Sequence, residues 1–254
     1  MQQSLPAMLD IWQNTLSWQP SDRHIELFSQ LYEAILEGNQ KQNLTRITEP
    51  EEFWEKHIWD SLLGIAPFFI ADFLPKLQKE SLATVSKIID IGTGAGIPGL
   101  PIAIANPNWT VTMVDSTQKK IAFVKVAIAL LQLNNAKAIV SRAEALGRNQ
   151  SHREQYDLAL IRAVAQPSVC AEYILPFVKV GGFGVLYRGH WQESDTMALK
   201  TAVKQLGSEV TLIEQTITPL SDSIRNCVYL YKHSPTPNKF PRQVGVPNQQ
   251  PLSF

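Results

Sequence analysis

The chain has 254 residues, 44% of them hydrophobic and 18% charged, with 23 basic and 23 acidic side chains. That composition supports a sizeable buried core and excludes a wholly disordered chain, and the length suits one large domain or one domain with a smaller attachment. Cys170 and Cys227 lie far apart in no metal-ligand spacing, which argues against a disulfide framework and a zinc site and for a reducing compartment. No run approaches the roughly 18 uncharged apolar residues of a membrane span. The opening residues lack a basic stretch followed by an apolar one, so a cytoplasmic location is expected. The neutral total hides an asymmetry. Residues 1–87 hold 7 bases against 12 acids, residues 88–222 hold 12 against 11, and residues 223–254 hold four bases (Arg225, Lys232, Lys239, Arg242) and no acid. An acidic front and a basic end suggest contact with a polyanion on one side.

Residues 1–82 read as a helical subdomain. Ser21-Asp22 can cap a helix whose apolar positions Ile25, Leu27, Phe28, Leu31, Tyr32, Ile35 and Leu36 follow the 3.6-residue period, with Gly38 as its stop. A second helix is expected to start near Thr48-Glu49-Pro50, with Pro50 at its first position, and to run through Phe53, Trp54 and His57 toward the apolar stretch Leu62–Ile70. Residues 83–233 alternate strands with helices. Strands are expected at 88–91, 109–114, 137–140, 158–161, 183–187, 210–216 and 227–231, and helices at about 98–106, 117–133, 166–178 and 193–206. This spacing predicts an α/β fold with a seven-stranded, mostly parallel sheet covered on both faces. No helix separates the last two strands, so they should pair antiparallel. Residues 234–254 contain five prolines and are expected to form an extended basic tail.

The strongest local signal is the run Gly92-Thr93-Gly94-Ala95-Gly96-Ile97-Pro98-Gly99 after the first strand. Gly92, Gly94 and Gly96 let the backbone turn sharply and approach a ligand, and the helix that follows should aim unpaired N–H groups at it. Gly94, Gly96 and Gly99 also satisfy G-x-G-x-x-G, so an NAD-dependent oxidoreductase competes for this loop. Asp115 ends the second strand, where a carboxylate can accept both hydroxyls of an adenosine ribose. Ser116 and Thr117 follow it, with Thr117 also suited to cap a helix. At the end of the third strand, the Ala143 backbone and the Glu144 side chain can read an adenine edge. Arg162, at the carboxyl end of the fourth strand, should face a carboxylate, whether Asp90, Asp115 or a ligand's carboxyl group. His57 and Asp60 share one helical face and can touch RNA or hold the helical part on the sheet, the second being favoured. Trp54 and Trp59 suit a core better than a stacking platform. No catalytic acid or base and no metal ligands stand out.

The segments Asn43-Leu44-Thr45, His57-Ile58-x-Asp60-Ser61, Asp90 to Gly99, Asp115-Ser116-x-x-Lys119-Lys120 and Arg162-Ala163-Val164-Ala165 occur in the order and spacing of one family. Over residues 25–232 the chain resembles the bacterial small-subunit (16S) ribosomal RNA guanine-N7 methyltransferases, the GidB or RsmG family, and the tail from Thr236 to Pro247 resembles one seen in many members. The resemblance implies a Rossmann-like class I fold and S-adenosylmethionine as methyl donor. It implies 16S ribosomal RNA or the small ribosomal subunit as substrate; a monomer is expected. It puts the family's cofactor contacts on Gly92, Ile97, Asp115, Ser116, Thr117, Ala143, Glu144 and Arg162. Two departures stand out: Arg188-Gly189 where members carry Lys-Gly, and Gly38-Asn39 where many carry Trp-Asn. A turn of the Asp/Asn-Pro-Pro-aromatic kind and a Pro-Cys pair are both missing after the fourth strand, as expected for a target other than an adenine amino group or a pyrimidine carbon. A non-catalytic RNA-binding module would keep the tail yet has no need of Gly92, Asp115 and Arg162.

Overall fold

The computed structural model describes residues 4–70, 85–162 and 164–252. The expected boundary at 82/83 and the motif residue Ala163 lie outside them. In the helical part, α1 (Leu9–Leu16) buries Trp12 and Leu16, and α2 (Asp22–Asn39) buries Leu27, Phe28, Leu31, Tyr32 and Ile35. Ser21 caps α2 reciprocally: its Oγ accepts from the His24 N–H, and its own N–H donates to His24 Nδ1. The helix runs one residue past the expected stop, because Gly38 is a packing site. A Cβ there would lie 2.5 Å from Leu44 and 2.8 Å from Phe123. Asn39 then pins the following loop, accepting from the Leu44 and Thr45 N–H groups and donating to the Thr45 carbonyl.

The second expected helix starts at Pro50 and is continuous but not uniform. α3 (Pro50–Phe53) passes into a π-helical turn, Trp54–Trp59, and on into α4 (Asp60–Leu63), with a short α5 (Ala66–Phe69) beyond. Trp54 and Trp59 are core residues, as expected; Trp54 packs edge-on against Trp12 with ring centroids 4.8 Å apart.

Seven strands form one sheet in the order β3-β2-β1-β4-β5-β7-β6. They are β1 (Lys87–Ile91), β2 (Thr110–Asp115), β3 (Ala136–Val140), β4 (Tyr156–Arg162), β5 (Val178–Arg188), β6 (Ser208–Ile217) and β7 (Ile224–Lys232). The first five pair in parallel; β7 inserts between β5 and β6 and runs antiparallel to both. The intervening helices are α6 (Gly99–Ala105), α7 (Gln118–Leu130), α8 (Ala143–Leu146), α9 (Pro167–Ile174) and α10 (Glu193–Gln205).

Side chains of alternate parity along each strand enter two hydrophobic cores, one on each face. One joins the sheet to the helical part, α6 and α7 through Ile88, Val111, Leu158, Phe183 and Tyr229. The other joins it to α9 and α10 through Ile89, Val114, Ile161, Leu186 and Val228. The second core also takes in Phe240 and Leu252. The segment after β7 is therefore not the extended tail expected from its prolines. It folds back against the sheet layer and forms a short α11 (Val246–Gln249), with Pro247 in its first turn where no amide donor is needed.

Candidate functional site

The parallel strands β1 to β4 all end on one side of the sheet, where their loops enclose a crevice of about 520 Å³. A cavity of that volume suits a small-molecule ligand. Its lining includes Gly92, Asp115, Ser116, Thr117, Ala143, Glu144 and Arg162, seven of the nine residues expected at the site. Gly94 and Ile97 are not part of the wall. Ile97 is buried in the core facing the helical part, and the Gly94 N–H is bonded to Asp115.

The glycine loop turns as its sequence suggests. Gly92, Gly94 and Gly96 have φ of 74°, 59° and 88°, a region that glycine enters without cost. The Gly94 N–H donates to Asp115 Oδ2 at 3.0 Å, and the Thr117 N–H donates to Asp115 Oδ1 at 2.8 Å. Both carboxylate oxygens are thus fixed in place with lone pairs to spare for further donors. Thr117 precedes α7, but its side chain makes no capping bond, and it lines the crevice.

One expectation about the loop fails. The N–H groups opening α6 are not left for a ligand, because the Gly99 N–H donates to Asp90 Oδ2 at 3.0 Å and Thr93 Oγ1 donates to the same oxygen at 2.6 Å. Burial pushes the Asp90 carboxyl up to about 6, and its Oδ1 is fully enclosed with no hydrogen-bond partner among the described residues. Gly99 has a packing role: a Cβ there would collide with the Met113 side chain.

Arg162 faces a carboxylate, but neither Asp90 nor Asp115. Its guanidinium donates to Asp60 Oδ2 at 3.1 Å, to the Lys56 carbonyl at 2.7 Å and to His57 Nδ1 at 3.2 Å. Arg225 Nε sits 3.3 Å from the other Asp60 oxygen. A guanidinium only donates, so its 3.2 Å contact makes His57 Nδ1 the acceptor. The Lys56 carbonyl, also 3.2 Å from that nitrogen, is served by Arg162 instead, and the ring proton sits on Nε2, which donates to Thr45 Oγ1 at 2.8 Å. Burial, reinforced by the Arg162 charge, lowers the His57 pKa to about 3 and keeps the ring neutral. Three of the sequence segments singled out above meet in this network, which fastens the helical part to the carboxyl end of β4. His57 and Asp60 accordingly have the packing role.

Glu144 is buried; its Oε1 accepts from the Gly245 N–H at 2.9 Å and from Arg142 at 3.4 Å. That contact was invisible in the sequence, and it brings Gly245, Asn248 and Gln249 into the crevice wall. A second hollow of about 420 Å³, lined by Val164, Ala165, Tyr187, Arg188, Gly189 and His190, shares Val164 and Ala165 with the first. Arg188 donates to the Ala165 carbonyl at 2.7 Å, so the departure from Lys at this position is tied to holding the β4 loop.

The basic end is largely neutralised within the fold. Arg225 pairs with Asp60, Arg242 with Glu172, and Lys232 is buried against Glu154 and the Leu175 and Val178 carbonyls. Lys239 lies over the Phe240 ring and, among the described residues, is the one of the four bases with no ion pair. Among the described residues no helix is long and apolar enough to cross a membrane, and no cluster of His, Cys, Asp and Glu could hold a metal ion.

A sheet in this order, with a glycine loop after β1 and a fixed carboxylate after β2, defines a class I methyltransferase fold. A solved 16S rRNA (adenine(1408)-N(1))-methyltransferase from Catenulisporales acidiphilia shares the architecture at a TM-score of 0.51 and 16% identity, over 63% of this chain and 90% of that one. Residues 24–221 match the GidB family, described as rRNA small subunit methyltransferase G. The ribosomal RNA small subunit methyltransferase G of Trichormus variabilis is 57% identical over 249 residues, 98% of each chain. Its counterpart in Gloeobacter violaceus is 50% identical over 242 residues, 95% of this chain and 91% of that one. The chain belongs to this family.

Proposed function

We propose that the chain transfers a methyl group from S-adenosylmethionine to N7 of a guanine in 16S ribosomal RNA, acting as a monomer in the cytoplasm. The observation that carries the reading is the Asp115 carboxylate, held by two backbone N–H groups at the rim of the crevice. In an open parallel sheet a carboxylate there accepts the two hydroxyls of a ribose. Ser116 and Thr117 flank the same sugar, the Ala143 backbone faces the adenine edge, and the loop backbone at Gly92 and Gly94 leaves room for the amino-acid end. Ile97 supports that loop from the core.

The rival dinucleotide reading fares worse on electrostatics. A diphosphate wants free N–H groups at the start of α6, and Asp90 takes the first of them and adds an acid beneath the loop. Asp90 Oδ1 is enclosed and has no hydrogen-bond partner among the described residues, so that acid is not neutralised by a direct bond there.

When bound, S-adenosylmethionine supplies a methyl group on a positively charged sulfur. Guanine N7 carries a lone pair and no proton at neutral pH, so the chain need supply no general base. Its task is to align the base, with the second hollow beside Val164 and Ala165 as the route for a guanine splayed from its stack.

Asp115→Ala should weaken S-adenosylmethionine binding by about 1–3 kcal/mol, the cost of unmade hydrogen bonds to a charged group. Calorimetry on the folded variant, with S-adenosylmethionine and NAD titrated in parallel against wild type, checks this. Unchanged affinity for S-adenosylmethionine, or tighter binding of NAD by wild type, would sink the assignment.

A further inference from the structure

The segment after β7 is fastened at three places before it reaches the crevice. The Arg153 guanidinium donates to the carbonyls of Thr236 at 2.6 Å and Phe240 at 2.8 Å. Arg242 spends its Nε, its NH2 and its backbone N–H on the fully buried Glu172, at 2.7–3.1 Å. The Gly245 N–H then docks on Glu144. Phe240 and Leu252, both buried, bracket the segment with apolar anchors. This is a strap held by two buried carboxylates, far from the loose chain that its composition suggests.

What the strap presents to the crevice is Asn248 and Gln249. Both side chains are exposed to solvent and both line the cavity, on the same rim as Ala143, Glu144 and Tyr173. Neither carboxamide hydrogen-bonds a described residue, in contrast with the polar side chains that fasten the strap. A carboxamide offers one acceptor and two donors in a plane, the complement of an adenine's exocyclic amine and the ring nitrogen beside it.

We propose that Asn248 and Gln249 form the adenine-side wall of the adenosyl pocket and that their carboxamides recognise the exocyclic amine. The inference rests on the crevice being an S-adenosylmethionine site, in which the adenine lies at the end of β3, where the strap arrives. Glu144 then acts as the strap's anchor as well as part of the wall. The carboxyl-terminal segment becomes a component of the cofactor site and its selectivity.

The test uses the full chain and the double variant Asn248→Ala, Gln249→Ala. Each is titrated with S-adenosylhomocysteine and with the otherwise identical purine riboside thioether that lacks the exocyclic amine. Wild type should prefer the adenine compound by about tenfold, the size of one good carboxamide pairing. The variant should bind both compounds weakly and about equally, with the melting temperature of the free protein unchanged, because both side chains are exposed. A variant that keeps the wild-type preference overturns the proposal, whether its affinity is retained or lowered for both ligands alike. Wild type that binds neither compound would instead overturn the cofactor reading, and the inference with it.

Discussion

Asp60→Ala should cost the fold about 3–5 kcal/mol, the penalty typical of removing one partner from a buried ion pair. Asp60 is 5% exposed and answers two guanidiniums, Arg162 on β4 and Arg225 on β7. Without it the two cations face each other across a largely desolvated gap, with the Lys56 carbonyl and His57 as the remaining acceptors for Arg162. His57, held neutral by burial, supplies no compensating charge. The effect should also reach the crevice, since Arg162 is part of its wall. Urea unfolding of the variant against wild type measures the first effect and S-adenosylmethionine affinity the second. A stability loss below about 1 kcal/mol, the range of exposed pairs, would mean that the network is solvated and does not hold the helical part in place.

Arg242→Ala should be comparably damaging, at about 3–5 kcal/mol. Glu172 has no exposed side-chain surface, and all four of its hydrogen bonds come from Arg242. Truncation leaves a buried carboxylate with only the backbone N–H of residue 242. The strap should loosen, releasing Gly245 from Glu144 and weakening S-adenosylmethionine binding as well. The double variant Arg242→Met, Glu172→Leu separates charge burial from packing, because apolar replacement of a whole buried pair is often nearly neutral. It should recover most of the lost stability. If the double variant is as unstable as Arg242→Ala, packing rather than the stranded carboxylate is responsible.

These two positions also mark what the sequence could and could not convey. The strand series, the glycine loop and the acid after β2 were legible because each is local: a short apolar run, a cluster of glycines, a carboxylate at a strand end. The β7 insertion refines an expected antiparallel pair, and β5 begins at Val178, ahead of its expected start, because Gly181 with φ of 87° bends the strand without ending it. α1 gives no capping signal, since Met8 precedes it in a left-handed conformation with no side-chain bond.

The partners of Arg162 and Arg242 are different in kind. Asp60 lies 102 residues from Arg162, and Glu172 lies 70 residues from Arg242. No periodicity connects such pairs. Composition could not show where the charge of residues 223–254 goes, where four bases without an acid suggested contact with a polyanion. Three of those bases find acids contributed by other parts of the chain. A charge count along the sequence cannot see pairing across the fold.

The methyl transfer itself can be read out chemically. Purified protein is incubated with methyl-labelled S-adenosylmethionine and small-subunit particles from cells that lack the enzyme, and the ribosomal RNA is digested to nucleosides. Label should appear in 7-methylguanosine, at a single site. Label in a methylated adenosine or cytidine, or no label on RNA while the methyl donor is demonstrably bound, would contradict it.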